Sequence, residues 1–347
     1  MTEKAKRLSF TDLGIGFSSG KTGCSLLLPP LTGTAGKGEL IAVIGRNGIG
    51  KSTLLRSLSG LQPHLSGHLI VEGTDINSYS RKGLSAKVGY ISTEIVKVSN
   101  MKVYDLVSLG RFPHTNWMGR IDTTDHEYIA SALTMTGMTG FSERPVSELS
   151  DGERQRAMIA MVLAQDAGIM IMDEPTAFLD ITGRYGIIHL LHELTRERQK
   201  TLIFSTHDLL MAVSLSDKIW LLNENGLVEG APEDLMLDGS FNTLFDDSKV
   251  IFDPVKGTVS FRKPETGRIN IKGEGLEKYW TEQAVVRAGF SASDSPSGIE
   301  VEVTASPAPQ WICRSAAGQF SFDSVYEMVR WIREQKTTSL NTSCNFR

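Results

Sequence analysis

The chain has 347 residues, of which 40% are hydrophobic and 22% are charged, and its formal net charge is −4. A chain of this length and balance is expected to form two domains of an ordinary soluble globular protein. The small negative charge gives no polybasic footprint for nucleic acid, and three dispersed cysteines without metal-ligand spacing argue against a disulfide framework or structural zinc.

Short strands with glycine-rich turns are predicted for residues 7–30, and ELIAVIG (39–45) follows as a buried strand. GRNGIGKST (45–53) comes next and matches the G-x-x-x-x-G-K-[ST] pattern of a phosphate-binding loop. KSTLLRSLSG (51–60) has its leucines on one helical face. A strand, a glycine loop and a helix N-terminus form a nest of backbone N–H groups that binds polyphosphate. The sequence therefore predicts a nucleoside triphosphate site.

This loop supplies most of the predicted nucleotide contacts. Lys51 is expected to reach the β- and γ-phosphates of ATP, and the Ser52 hydroxyl is expected to bind Mg²⁺. Upstream, Phe17 has two open interpretations, a ring that stacks on adenine or a core aromatic of an antiparallel strand. The loop residues expected to bind the nucleotide are Gly45, Arg46, Asn47, Gly48, Gly50, Lys51, Ser52 and Thr53.

Two later strands are predicted to end in catalytic residues at one sheet edge. GIMIMDEP (168–175) is an apolar run that ends in two acids, and ligands of α/β folds bind at such carboxyl ends. Asp173 is expected to hold Mg²⁺, and Glu174 to orient and deprotonate the attacking water. TLIFSTHD (201–208) is a second buried strand, and its His207 is expected to reach the γ-phosphate.

Two features between these strands have alternative interpretations. LSDGERQR (149–156) opens a helix in which Ser150 is an N-cap and Glu153 completes a capping box, so on its residues alone it could be a well-capped helix and nothing more. The loop GRFPHTNWMGR (110–120) carries large apolar side chains in a polar segment. We interpret this loop as a docking surface for a partner helix, with local core as the alternative.

Residues 7 to about 237 resemble the nucleotide-binding subunit of ATP-binding-cassette (ABC) transporters. In family order, the matching motifs are GRNGIGKST as Walker A, LSDGERQR as the signature, IMIMDEP as Walker B, AFLD (177–180) as the D-loop and STHD as the switch-histidine motif. The resemblance implies an α/β fold of the P-loop NTPase type, with an antiparallel β subdomain, a parallel core sheet and a helical subdomain. YDLVSLGRFPHTNWMGR (104–120) is similar to importers of iron-siderophore, haem or cobalamin chelates.

The family mechanism implies an ATPase in which two copies face head to tail around ATP. Ser150 and Gly152 of one copy would contact the γ-phosphate held by the other, and Asp180 of the D-loop would join the nucleotide site. The implied partners are a second copy, transmembrane permease subunits and, indirectly, a periplasmic or lipid-anchored substrate-binding protein. The chain shows neither an apolar run of membrane-spanning length nor a signal peptide, so the expected location is the cytoplasmic face of the cell membrane.

Two positions depart from the family pattern. The family has glutamine at the end of the strand KVGYIST (87–93), where this chain has Thr93 followed by Glu94. Thr93 is a candidate Mg²⁺ ligand, although either residue could take the role of the glutamine. The signature has Asp151 where glycine is commoner, and we expect that change to be benign because Asp tolerates left-handed backbone.

The predicted cassette spans 7–248, a small α+β appendage spans 249–336, and 337–347 is expected to be a disordered tail. In the appendage, 250–263 is predicted to be a hairpin, and the helix 276–290 is predicted to bury Leu276, Trp280, Ala284 and Val285 on one face. Its element order suggests a ferredoxin-like arrangement. The predicted function is the ATPase subunit of an importer for an iron chelate or cobalamin. The alternative is a soluble ABC ATPase of repair, translation or cofactor assembly.

Overall fold

The computed structural model describes residues 6–19, 23–92, 100–115, 119–245, 250–253, 258–261, 267–293, 295, 297–304 and 308–343. The chain forms two compact units, Met1–Ser260 and Phe261–Arg347. This division falls later than the boundary expected at residue 248, because the strand Val250–Asp253 goes with the cassette. Phe252 of that strand packs in the core of the first unit, with its ring 6.0 Å from that of Phe241.

The strands up to residue 261 are, in chain order, β1 (Lys6–Gly14), β2 (Gly16–Ser19), β3 (Gly23–Leu26), β4 (Leu31–Gly36), β5 (Leu40–Gly45), β6 (Ser66–Val71), β7 (Thr74–Asp75), β8 (Val88–Ile91), β9 (Ile169–Met172), β10 (Thr201–Ser205), β11 (Lys218–Asn223), β12 (Gly226–Gly230), β13 (Val250–Asp253) and β14 (Thr258–Phe261). The helices of the same stretch are α1 (Lys51–Leu58), α2 (Arg81–Ser85), α3 (Val103–Ser108), α4 (Thr123–Met135), α5 (Asp151–Ala164), α6 (Ile181–Arg196), α7 (Leu209–Leu215) and α8 (Pro232–Leu237).

A central sheet organises the first unit, with the strand order β12-β11-β5-β10-β9-β8. All its neighbours are parallel except β11 and β12. Its strands are buried on both faces, which explains their continuous apolar sequences. In β5, Ala42 and Ile44 enter one core while Ile41 and Val43 enter the other. This order places the carboxyl ends of β5, β10 and β9 side by side.

Two smaller layers pack on this sheet and confirm the expected subdomains. The antiparallel sheet β4-β1-β6-β7 shares a core with one face, where Phe10 meets Trp220 edge to face at 5.2 Å between ring centroids. Helices α3, α4 and α5 pack together beside the other core. Within this helical part, a buried ion pair joins Arg111 Nε to Asp125 Oδ1 at 2.7 Å. Among the described residues, no helix is both long and apolar enough to cross a membrane.

The second unit is a small α+β domain, as expected. It contains β15 (Arg268–Lys272), α9 (Gly275–Arg287), β16 (Ser291–Ser293), β17 (Ile299–Thr304), β18 (Gln310–Ser315), β19 (Gly318–Phe322) and α10 (Val325–Ser343). Its sheet has the order β16-β15-β17-β18-β19, with β15 parallel to both neighbours and the remaining pairs antiparallel. The suggested ferredoxin-like arrangement is therefore wrong. Cys313 lies in this core, where burial raises the pKa of its thiol to about 12.

Two expectations for this unit differ from the structure. Leu276 is 71% exposed and Trp280 is 61% exposed, so the predicted buried face of α9 is wrong at both positions. Thr281 turns inward instead, because its hydroxyl accepts a 2.7 Å hydrogen bond from the indole N–H of Trp311. Helix α10 continues to Ser343 and so includes residues expected to form a disordered tail.

Candidate functional site

The phosphate-binding loop joins β5 to α1 with glycines where side chains would not fit. A Cβ on Gly45 would lie 2.8 Å from the carbonyl oxygen of Leu222, too close for any other residue. Gly50 is the N-cap of α1 and has φ of 115°, a backbone conformation that side chains disfavour. A Cβ on Gly48 would meet no atom within 4 Å. The loop therefore leaves open space in front of the N–H groups that begin α1.

Lys51 lies inside this loop and is only 7% exposed. Its ammonium donates hydrogen bonds to the carbonyl oxygens of Gly45 at 2.9 Å and Arg46 at 3.2 Å. The pKa of Lys51 lies below its ordinary value because burial lowers it. The charges of Glu174 and Asp173 raise this pKa, but by less than burial lowers it. The loop lysine and the two acids thus lie within electrostatic reach of one another.

The other loop side chains lie at or near the surface. Ser52 and Asn47 are exposed, and Thr53 is half-buried. Arg46 contacts a segment outside the loop, since its Nε donates to the carbonyl oxygen of Leu244 at 3.4 Å.

Asp173 and Glu174 follow β9 at the edge where β5 and β10 also end. The N–H of Asp173 donates to the carbonyl oxygen of Ile91 at 2.9 Å, which fixes this acid to the neighbouring β8. Glu174 has a left-handed backbone, with φ of 47°, which is uncommon for a residue with a side chain. Its carboxylate contacts the Nε2 of His207 from the loop after β10. The structure therefore brings Lys51, both acids and His207 together.

Ser205, for which the sequence motifs predict no role, contacts both Asp173 and Glu174. Its hydroxyl donates to Asp173 Oδ1 at 2.6 Å and accepts from the backbone N–H of Glu174 at 2.8 Å. The signal in the sequence is a polar residue that ends the otherwise largely apolar strand TLIFS.

The signature residues lie at the start of α5, which packs against α3 and α4. Ser150 caps this helix, and its hydroxyl accepts from the N–H of Glu153 at 3.3 Å. Hydrogen bonds from Ser150 in turn lower the pKa of Glu153. Asp151 pairs with Arg154 at 2.8 Å, and it lies outside the set of residues with positive φ. The left-handed backbone considered for Asp151 is therefore not needed.

Among the residues that the structure describes, no close contact requires residue 152 to be glycine. A Cβ there would meet only Leu179 Cδ2, at the ordinary distance of 3.8 Å. Glycine near a helix start costs stability relative to alanine.

Three further predicted residues have distinct outcomes. Phe17 is 58% exposed on β2, which excludes the core-aromatic interpretation and leaves its ring accessible. Asp180 caps α6, where its carboxylate accepts from the N–H of Gly183 at 2.7 Å. Thr93 lies outside the described residues, as do Glu94 and, in the predicted docking loop, Trp117 and Met118. Phe112 of that loop is exposed.

Two protein-family models match the chain. Residues 28–177 match the ABC transporter family, and residues 266–333 match the iron ABC transporter C-terminal domain. The two matched regions lie in the first and the second compact unit, respectively.

Several known proteins are similar to most of the chain. It is 36% identical over 260 residues to the ferric enterobactin transport ATP-binding protein FepC of Escherichia coli, covering 74% of this chain and 94% of that protein. It is 34% identical to the iron(3+)-hydroxamate import ATP-binding protein FhuC of Bacillus subtilis, and the match covers 71% of this chain and 91% of that protein. It is 32% identical to the cobalamin import ATP-binding protein BtuD of Halobacterium salinarum, and the match covers 75% of this chain and 67% of that protein.

Solved structures agree with this similarity. A metal-chelate type ABC transporter in an inward-facing conformation matches with a TM-score of 0.59 and 27% identity, covering 70% of this chain and 89% of that one. A dimeric bacterial ABC transporter cassette matches in fold, with a TM-score of 0.57 and 22% identity over 65% of this chain and 98% of its own. These matches give no support to the soluble non-transport alternative. The likeness to relatives covered almost end to end shows that the chain belongs to the ATP-binding subunits of ABC transporters, the ATPases of that family, with an iron ABC transporter C-terminal domain after its cassette.

Proposed function

We propose that this chain hydrolyses ATP to power the import of an iron chelate through separate membrane subunits. The observation that carries this proposal is the match of residues 266–333 to the iron ABC transporter C-terminal domain. The names of the relatives from Escherichia coli and Bacillus subtilis, which refer to ferric enterobactin and iron(3+)-hydroxamate, support the same class of cargo. The relative named for cobalamin import makes cobalamin the second candidate.

ATP binding follows from the phosphate-binding loop. The N–H groups at the start of α1 and the partial positive charge of its N-terminus would hold the phosphates. Lys51 already contacts the loop carbonyls of Gly45 and Arg46, so its ammonium is in place to bridge the loop and the β- and γ-phosphates. Asn47 and Thr53 complete the loop contacts, and Phe17 offers an exposed ring for adenine.

Mg²⁺ fits this site as an ion shared with the nucleotide. Among the residues that the structure describes, no group of three or more His, Cys, Asp or Glu side chains could hold a metal ion. Mg²⁺ in nucleotide sites needs only one or two protein ligands because phosphates and water supply the rest. Asp173 and the exposed hydroxyl of Ser52 are those ligands, and Thr93 is a candidate third. The bound ion would neutralise charge on the phosphates.

Hydrolysis would depend on Glu174 and His207. A carboxylate at this position can accept a proton from the attacking water. The contact with His207 holds that carboxylate at the end of β10, next to the phosphate-binding loop. His207 would then turn its imidazole to the γ-phosphate once the nucleotide is bound. The Glu174 carboxylate would then be free of His207 and could face the attacking water.

The site is proposed to be completed by a second copy of the chain. Ser150 begins a helix whose N-terminus can bind phosphate, and Gly152 leaves that approach free of a side chain. A related cassette of the same fold is dimeric, which supports a head-to-tail pair here. Asp180, as the cap of α6, would hold the D-loop in place at the same interface.

The remaining partners follow from the class of transporter. An importer ATPase acts on transmembrane permease subunits at the cytoplasmic face of the membrane, and a substrate-binding protein delivers cargo to the permease from the other side. The exposed Phe112 of the predicted docking loop is a candidate permease contact. Nucleic acid is not a proposed partner.

Uptake in cells tests the proposal directly. A strain that lacks this chain but keeps its permease would be supplied with the wild type or with Lys51→Ala, and uptake of radiolabelled ferric catecholate, ferric hydroxamate and cobalamin would be measured. We expect the wild type alone to restore uptake of one of the iron chelates. Restoration of cobalamin uptake only would favour the second candidate, and restoration of none would refute import of these cargoes.

A further inference from the structure

We propose that Ser205 is a positioning residue, which holds Asp173 in the orientation needed for Mg²⁺ binding and Glu174 in the orientation needed for attack by water. The inference rests on the proposed ATP hydrolysis at the same site and adds a residue to it. It is supported by two hydrogen bonds of the Ser205 hydroxyl, one to the side chain of Asp173 and one from the backbone N–H of Glu174.

Ser205 is held rigidly where it can do this. It is the last residue of β10, the strand between β5 and β9, and it pairs in register with Val43 of β5. Its side chain is completely buried. A buried hydroxyl with one donor and two acceptor positions is well used when it donates once and accepts once, as here. The strand therefore fixes the oxygen to which both acidic residues are bonded.

The bond to Asp173 orients the proposed metal ligand. The Ser205 hydroxyl donates to Oδ1 at 2.6 Å, a short distance typical of a charged acceptor. This bond fixes the orientation of the carboxylate, and its oxygens keep lone pairs that can face Mg²⁺. Hydrogen bonds of this kind orient metal ligands in other proteins, and their loss lowers metal affinity or activity.

The bond to Glu174 fixes a backbone conformation that is otherwise uncommon. Glu174 has φ of 47°, and its N–H donates to the same serine oxygen at 2.8 Å. Without that partner, the N–H would lie part-buried and unpaired, and the backbone could relax towards an ordinary conformation. Such a relaxation would move the Glu174 carboxylate relative to His207 and to the attacking water. Small displacements of a catalytic group reduce turnover strongly.

Thr201 provides a matched control at the other end of the same strand. It is also completely buried, and its hydroxyl donates to the carbonyl oxygen of Gly36 at 2.8 Å. Thr201→Val and Ser205→Ala therefore each remove a buried hydroxyl from β10. The two variants differ in which groups lose a hydrogen bond. A role limited to stability predicts similar behaviour, whereas a positioning role predicts a specific defect in Ser205→Ala.

The experiment compares the full-length wild type with Ser205→Ala, Ser205→Thr and Thr201→Val. We expect Ser205→Ala to lower kcat by about 10- to 100-fold and to raise the Mg²⁺ concentration for half-maximal activity, the range seen when such orienting partners are lost. ATP binding without Mg²⁺ should stay within about twofold, because the phosphate loop is untouched. Ser205→Thr, which keeps the hydroxyl, should recover most of kcat. Thr201→Val should keep the wild-type kcat and Mg²⁺ dependence.

A second measurement separates this inference from the proposed function. Mg²⁺ titration of ATP binding, followed by calorimetry, needs no turnover, and there Ser205→Ala should weaken the Mg²⁺ effect while Thr201→Val should not. If the folded Ser205→Ala protein matches Thr201→Val in kcat and in this titration, the inference is wrong. A wild type without ATPase activity would refute the proposed function, and the titration would still decide the role of Ser205.

Discussion

The imidazole Nε2 of His207 contacts Oε1 of Glu174, which joins the carboxyl end of β9 to the loop after β10. The side chains of both residues are partly exposed, so the pair lies at the opening of the site and not in the core. The N–H of Glu174 is held at the same time by Ser205. The acid is therefore oriented by two neighbours, Ser205 at the end of β10 and His207 in the loop that follows it.

Replacing Glu174 with glutamine removes the proposed base but keeps the shape of the side chain. We expect Glu174→Gln to bind MgATP, to form a stable dimer and to hydrolyse ATP at least about 10²-fold more slowly, since general base catalysis contributes about that much. Phosphate release and size-exclusion chromatography with MgATP measure the two effects. Glu143→Gln, at an exposed acid paired with Lys102, should hydrolyse like the wild type. Undiminished turnover in Glu174→Gln would rule out the base assignment.

Removing the ammonium of Lys51 should abolish nucleotide binding or turnover. In Lys51→Ala, the loop loses both the charge that faces the phosphates and the hydrogen bonds to the carbonyl oxygens of Gly45 and Arg46. Binding of a fluorescent ATP analogue and phosphate release are the measurements. Lys102→Ala is a suitable charge control, because that exposed lysine pairs with Glu143 and not with the loop. Full activity in Lys51→Ala would refute the phosphate-loop assignment.

Gly152→Ala is expected to have opposite effects on the stability of a single copy of the chain and on the pairing of two copies. The substitution should raise the free energy of unfolding by up to about 1 kcal/mol, because alanine is the better helix former and the position has room. It should also weaken ATP-dependent dimerisation and lower ATPase activity, because the new methyl group would stand between the helix and the partner's nucleotide. Gly186→Ala is the matched control, since Gly186 lies in helix α6 and a Cβ there would meet no atom within 4 Å, so that position has room for a methyl group as well.

Stability and dimerisation are measured separately for both variants. Denaturant unfolding without nucleotide gives the free energy of unfolding, and a titration with MgATP gives the concentration needed for dimerisation. Gly186→Ala should gain stability and keep wild-type pairing. If Gly152→Ala behaves in the same way as this control, the signature residues do not meet a second copy as proposed.

Much of the cassette could be predicted from the sequence because its central strands are continuous apolar runs. Those runs gave the strands, and the glycine and acid motifs that follow them gave the residues at their carboxyl ends. The role of Ser205 could not be read in the same way. Its two hydrogen bonds depend on the register between β9 and β10, which are joined only in the folded sheet.

The second unit was less predictable for a similar reason. The buried face of α9 depends on Trp311, whose indole N–H bonds to Thr281 from thirty residues further along the chain. The boundary between the units depends on Phe252, whose ring stacks with that of Phe245 at 5.7 Å. Periodicity within one segment carries no information on either contact.

The ion pair of Arg111 and Asp125 predicts a pH-dependent stability in the helical part of the cassette. Burial raises the pKa of the Asp125 carboxyl, but hydrogen bonds from the Arg111 side chain and the backbone of Asp122, with the Arg111 charge, outweigh burial and leave its pKa below the ordinary value. Arg111 also donates from its second nitrogen to the carbonyl oxygen of Ala164 at 2.7 Å. The pair thus ties α4 to the end of α5, and its guanidinium is left buried and unpaired with an acid if Asp125 is neutral.

Asp125→Asn should therefore lower the free energy of unfolding by about 3–5 kcal/mol at pH 7, the usual effect of removing one partner from a buried pair. Because the folded-state pKa of Asp125 is lowered, its stabilisation is complete above the unfolded pKa of about 3.9 and is lost as the pH falls through the folded pKa. The difference between wild type and variant should shrink accordingly below about pH 4. Urea unfolding across pH 3 to 7 measures it, with Glu148→Gln as control. Glu148 forms an exposed pair with Arg144, so its replacement should change stability by no more than about 0.5 kcal/mol. A difference for Asp125→Asn as small as that of the control would show that the buried pair does not stabilise the fold.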